Sequence, residues 1–180
     1  MDWVRNHRTL LLIEGILFIL MGGVAIILPV VSTLSLEMFI GFLLIFSGAV
    51  QLFRAFKLHR APPFVISLLM GLIGVVCGIL MLLYPVAGVM SLTILLTIFF
   101  LLDGIMKIVL GFQSRPTHYW GWLVFNGLLS LIIAYIIWHS WPSSAFWVLG
   151  LLFGINMIFF GVSLISLSAG VARTPPPSNP

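Results

Sequence analysis

Residues 10–29 read LLLIEGILFILMGGVAIILP, and residues 66–85 read ISLLMGLIGVVCGILMLLYP. Both are apolar runs closed by a proline, with glycine at the same two places: Gly15 and Gly22 in the first, Gly71 and Gly78 in the second. About 20 apolar residues cross a bilayer as a helix, so each run is read as a membrane span. Their likeness at a displacement of 56 residues makes the span part of a repeat. The same displacement sets Pro29 on Pro85, Ser35-Leu36 on Ser91-Leu92, Gly48 on Gly104 and Phe56 on Phe112. A further 56 to 57 residues brings Gly127, Ala134, Pro142, Gly154 and Gly161 onto Gly71, Gly78, Pro85, Thr97 and Gly104. The unit is helix, proline-marked turn, helix, used three times, and such a repeat fixes the architecture.

Composition agrees. The 180 residues are 62% hydrophobic and 7% charged, where a soluble domain carries about 25% charged residues. A soluble fold of this size could not withdraw that much apolar surface from water. A soluble enzyme, a nucleic-acid-binding domain and a disordered chain are therefore excluded, and the principal partner is the lipid bilayer. The net charge of +4 is spread thinly over the loops with no basic stripe, so no nucleic acid is expected. Cys77 is the single cysteine; it rules out an intrachain disulfide and is read as a small packing residue.

Six spans follow, with cores near residues 10–28, 34–53, 64–83, 86–112, 119–138 and 145–169. The expected fold is an all-α integral membrane protein of six transmembrane helices, arranged as three parallel two-helix repeats. The organisation is a cytoplasmic N-terminus at 1–8 and a six-helix domain at 9–168, with repeats at about 9–57, 62–113 and 118–168. A proline-rich tail at 169–180, too rich in proline for a helix, is expected to be disordered. The first span follows Arg5 and Arg8 as a secretory signal would. It lacks a cleavage pattern and has internal counterparts, so it is read as a span.

Lys and Arg set the orientation. Arg5 and Arg8 precede the first span, Arg54, Lys57 and Arg60 follow the second, Arg115 follows the fourth, and Arg173 follows the sixth. The alternate loops have none, which places both termini in the cytoplasm. Trp3, Tyr119, Trp120 and Trp122 then belong to the inner interface, and Tyr84, Trp138, Trp141 and Trp147 to the outer one, where amphipathic rings anchor. Two spans per unit make the repeats parallel, related by an axis along the membrane normal rather than inverted.

Small residues recur every seven positions within the spans: Gly15/Gly22, Gly41/Gly48, Gly71/Gly78, Thr97/Gly104/Gly111, Gly127/Ala134 and Gly154/Gly161/Ser168. Seven residues are about two turns, so each set forms one stripe. In lipid such stripes let helix backbones approach closely. A glycine-lined pore is the alternative reading.

Ionisable groups inside a bilayer are costly and are the default functional candidates. Glu14 lies in the first span. Asp103 and Lys107 lie one turn apart in the fourth, on one face. With Gln51 and Asn126 they form a candidate intramembrane polar cluster. In the repeat, Glu14, Met70 and Asn126 are equivalent, as are Ser47, Asp103 and Phe160, and likewise Gln51, Lys107 and Leu164. Such a cluster either fixes packing through inter-helix hydrogen bonds, at about 0.6 kcal/mol each on average, or responds to protons. Glu37, near the outer start of the second span, sits where a helix N-terminus favours an anion, with Ser35 placed to cap that end. His139 lies at the outer rim, and His139 with Glu37 is the candidate outer-face pH sensor. His7, His59 and His118 fall in cytoplasmic segments. No HExxH, GxSxG, P-loop or Cys/His cluster is present, so neither an enzyme nor a cofactor or metal site is expected.

The three parallel hairpins, the Gly-x6-Gly-x6-Pro pattern of Gly15 to Pro29 and of Gly71 to Pro85, and the Phe53-Arg-Ala-Phe-Lys57 end of span two resemble the HdeD family of bacterial membrane proteins. The resemblance covers about Arg8 to Ser168. The third repeat departs from it with Ala134 in place of glycine and a Trp-rich turn, Trp138 to Trp147. The resemblance implies a protein of the bacterial inner membrane associated with resistance to acid stress, and it carries over no catalytic residue. A small proton or solute transporter using Asp103, Lys107 and Glu14 is the alternative. A scaffold whose stripes bind a second copy or another membrane protein is a third reading.

Overall fold

The structure, a computed structural model, describes residues 8–57, 64–115 and 119–171. The expectations for the first seven residues, for His59 and His118, and for most of the tail lie outside the described residues. Six helices follow one another: α1 Arg8–Ile27, α2 Pro29–Lys57, α3 Phe64–Leu83, α4 Pro85–Gln113, α5 Trp120–His139 and α6 Ala145–Val171. All six are long and apolar enough to cross a membrane. α6 runs three residues into the segment assigned to the tail.

The proline turns are tighter than the sequence suggested. Instead of a break over residues 29–33, Pro29 itself opens α2, with Leu28 alone between the two helices. Pro85 likewise opens α4 after Tyr84. Proline fits a first helical position because its missing N–H would be unpaired there in any case. Two expectations change in consequence. Ser35 lies inside α2 and does not cap it, and Glu37 stands two turns into the helix rather than at its start. The third turn is longer: the Ser140 N–H closes α5 on the Ile136 carbonyl, and the Ser144 hydroxyl reaches back to the Ile137 carbonyl at 2.8 Å.

Two compact units form, a central one of Thr33–Val148 and a terminal one of Met1–Ser32 with Leu149–Pro180. In the central unit α2 packs antiparallel on α3 and α4 on α5; α4 contacts α5 far more extensively than it contacts α3. In the terminal unit α1 packs on α6. The close pairs therefore join the second helix of one repeat to the first helix of the next, and the last repeat to the first.

Glycine makes these approaches possible. A Cβ added at Gly48 would lie 2.7 Å from the Gly71 carbonyl oxygen, and one at Gly71 would lie 3.0 Å from that of Gly48. Gly78 meets Gly41 at 2.6 Å. The reciprocal distances are both 2.8 Å for Gly104 and Gly127. In the terminal unit Gly15 and Gly161 give 2.9 and 2.5 Å, and Gly22 and Gly154 give 2.6 and 2.8 Å. Gly111 reaches Val124 and the Trp120 carbonyl. Real Cβ atoms do not sit so close to a neighbouring backbone, so any side chain here would force the helices apart. The stripes are thus the seams, and the glycine-lined pore has no support from them.

Few large side chains are buried. The buried apolar set consists chiefly of alanine and valine with Leu11 and Ile137, while Phe46 and Phe159 are each 70% exposed. In lipid that is not a penalty, because acyl chains are as apolar as the side chains they touch. Cys77 is exposed, not packed in a seam as expected. It falls one position before Gly78 and so faces away from the α2 seam.

Candidate functional site

In the half of the membrane nearer the basic loops, three polar side chains meet on α4 and α5. Asp103 and Lys107 are four residues apart on α4, and the Lys107 ammonium donates to Asp103 Oδ2 at 2.6 Å. The Ser130 hydroxyl, from α5, donates to the same oxygen at 2.8 Å and lies 3.1 Å from the Asn126 carbonyl. Ser130 is buried, while the side chains of Asp103 and Lys107 are 25% and 37% exposed. One carboxylate oxygen thus takes a donor from its own helix and one from the neighbour, which ties α4 to α5 beside the Gly104–Gly127 contact.

Of the five residues expected in this cluster, the structure joins Asp103 and Lys107. The Asn126 amide donates to the Trp122 carbonyl of its own helix at 3.0 Å. Gln51 is half-buried on α2, and among the described residues no hydrogen bond links it to Asp103. Glu14, in the terminal unit, is exposed on α1. Ser130 was missed. It stands three residues after Gly127 and four before Ala134, so it shares their face of α5, and that spacing was the available signal.

The repeat shows what this position is for. The residues equivalent to Asp103 and Ser130 are Ser47 and Gly74 in the α2–α3 pair, and Phe160 and Phe18 in the α1–α6 pair. There Phe18 and Phe160 pack edge to face with ring centroids 5.1 Å apart. The Ser47 hydroxyl turns onto its own Leu44 carbonyl. Two of the three pairs fill this position across the helices, one with a hydrogen bond and one with an aromatic contact, and each holds two helices in register; in the α2–α3 pair Ser47 is exposed and bonds its own helix.

At the proline end four polar side chains are buried. Thr33, Glu37, Thr93 and Ser144 are each 0% exposed. The Thr93 hydroxyl donates to the Val89 carbonyl at 2.9 Å. The Glu37 carboxyl lies against Gly88, so closely that a Cβ there would meet Oε1 and come within 2.9 Å of Cδ. His139 is exposed at the end of α5, with its ring 5.7 Å from that of Tyr135. The two members of the expected pH sensor therefore occupy opposite environments. Toward the basic loops, Arg115 lies over the rings of Phe112 and Trp120 at 4.8 and 4.1 Å, pinning the end of α4 to the start of α5 by cation–π attraction.

An apolar cavity of about 780 Å³ opens between α4 and α5, lined among others by Ile94, Thr97, Leu101, Leu131, Ala134 and Trp138. It lies where Thr97 and Ala134 stand in place of the glycine pairs Gly41–Gly78 and Gly154–Gly22. Among the described residues no group of three His, Cys, Asp or Glu side chains is placed to hold a metal ion.

This architecture defines a class: a multi-pass helical membrane protein, built from repeated two-helix units and seamed by small residues. Residues 13–83 and 69–139 each match the family described as a short repeat of unknown function, DUF308, and the two matches are displaced by the same 56 residues. The chain belongs to this HdeD-type repeat family. It is 24% identical over 172 residues to Protein HdeD of Escherichia coli K12, covering 94% of this chain and 90% of that protein. The same figures hold for Protein HdeD of Shigella flexneri. No solved structure matches the chain.

Proposed function

We propose that this protein supports resistance to acid stress from the bacterial inner membrane, without catalysis, with both termini in the cytoplasm. The observation that carries the reading is likeness to Protein HdeD along 94% of the chain, a family whose resemblance implies an acid-stress role. The geometry fits a packing protein: each seam is closed by reciprocal glycine contacts, and the one described ion pair serves to join α4 to α5. Apart from Lys107 in the fourth span, Lys and Arg lie only at alternate loops and the helix ends beside them, which supports the orientation. The test is survival after acid challenge of cells lacking the gene, complemented with wild type or with Asp103→Asn. Wild type restores survival. Asp103→Asn restores it as well, because an amide still accepts the Ser130 hydrogen bond.

A small proton or solute transporter is the second reading, favoured by Glu37 in the proline half together with Asp103 in the other. Proteoliposomes under an imposed pH gradient decide it. Proton or solute flux above that of empty vesicles, abolished by Glu37→Gln, would replace the first reading.

A further inference from the structure

Glu37 is fully buried, and among the described residues its Oε1 and Oε2 are the buried side-chain polar atoms without a hydrogen-bond partner. The backbone donor it touches and two other buried hydroxyls of this end bond elsewhere. The Gly88 N–H, at the point of contact, donates to the Tyr84 carbonyl at 3.0 Å. The Thr93 and Ser144 hydroxyls donate to Val89 and Ile137. No Lys or Arg occurs in the sequence at this end. The titratable groups there are Tyr84 at the α3–α4 turn and Tyr135 and His139 on α5, all exposed. The Asp103–Lys107 pair is 15 residues beyond Gly88 on α4, roughly 22 Å at 1.5 Å per residue.

The repeat gives a direct comparison. Thr93 is the counterpart of Glu37, is equally buried, and satisfies itself by giving its proton to a carbonyl one turn back. A carboxylate has no proton to give and only accepts, whereas a carboxylic acid donates. A buried site that leaves both carboxyl oxygens without a donor suits the acid and rejects the anion.

We propose that Glu37 is a proton-binding site, carried as the neutral acid in the packed state, and that loss of its proton loosens α2 from α4 at Gly88. This deepens the acid-stress reading, on which its physiological meaning rests; the binding site itself does not depend on it. On this proposal the packed state is stabilised while the proton is bound, and that stabilisation is lost when the proton leaves.

The experiment uses the full chain in lipid nanodiscs, with melting temperature followed by circular dichroism as pH is raised from the carboxylate range to above neutral. Wild type melts progressively lower as Glu37 ionises, and Glu37→Gln loses that slope. An equal slope in both overturns the proposal. Should Glu37→Gln not fold, infrared difference spectra of a Glu14→Gln/Asp103→Asn variant, which keeps Glu37 as its membrane carboxyl, decide the matter. A carboxylic-acid carbonyl band that disappears on raising pH supports the site, and absence of the band at every pH overturns it. A melting temperature that follows sodium or potassium at fixed pH, but not pH at fixed salt, would make Glu37 a metal-cation site and also overturn it. If the slope is lost in Glu37→Gln while that variant still restores acid survival, the proton site stands and its role in acid resistance fails.

Discussion

The α4–α5 and α1–α6 pairs share one kind of glycine contact and differ in what stands beside it. Each is antiparallel, and each brings glycines into reciprocal contact, Gly104 with Gly127 and Gly15 with Gly161. Beside those glycines, one pair places Asp103 and Ser130 and the other places Phe160 and Phe18. The glycines set how near the helices come, and the adjacent position sets which residues lock the register. At this shared contact both pairs keep the glycines while the adjacent position differs: a hydrogen bond and an aromatic contact each hold two helices together in lipid, whereas no side chain fits against a carbonyl at 2.5 to 2.9 Å.

The largest effect should come from filling the seams. Gly104→Leu and Gly161→Leu are each expected to cost about 1–3 kcal/mol or more through overpacking, read as loss of folded protein in detergent. Gly23→Leu and Gly121→Leu are the controls, since a Cβ at either meets nothing within 4 Å; they should leave folding intact. Equal damage at all four positions would mean that the stripes are not the seams.

Next come the two locks. A double-mutant cycle on Phe18→Ala and Phe160→Ala should give a coupling of about 0.5–1.5 kcal/mol. The corresponding cycle on Asp103→Ala and Ser130→Ala should give about 0.6 kcal/mol, the usual value for hydrogen bonds between membrane helices. A coupling near zero in either cycle breaks the equivalence of the two positions.

The smallest effect is the sharpest test of the comparison. Asp103→Phe, Lys107→Leu and Ser130→Phe together transplant the α1–α6 lock, with Leu164 as the model for position 107, onto α4–α5. The triple variant should fold with stability within about 1 kcal/mol of wild type, the usual range for swaps that keep a packed position filled. Asp103→Phe alone leaves Lys107 without its partner and should be worse than the triple variant.

Much of this was legible in sequence. Span number, the 56-residue repeat, the proline turns and the small-residue stripes all follow from periodicities that a one-dimensional pattern preserves. The pairing of the stripes was not legible, because a seven-residue period marks a face and leaves its partner open; that α1 meets α6 rests on residues nearly 150 positions apart, as in Gly15 and Gly161. The start of α2 was misplaced because a proline reads as a break, although at a first helical position it is a beginning. That error hid the depth of Glu37. Ser130 escaped notice because its spacing from Gly127 and Ala134 marks the seam face of α5 but does not name Asp103 as the partner on the facing helix.

The offset between repeat and packing pair rests most directly on the contact between the first and last helices. With Cys77→Ser as background, Phe18→Cys and Phe160→Cys replace rings whose centroids lie 5.1 Å apart. Oxidation in native membranes, followed by protease cleavage in a loop and gel analysis, reads whether the two ends of one chain are joined. Efficient intrachain cross-linking, reversed by reductant and absent from either single-cysteine variant, is the expected result. Two reactive thiols that never join within a chain would contradict the α1–α6 seam.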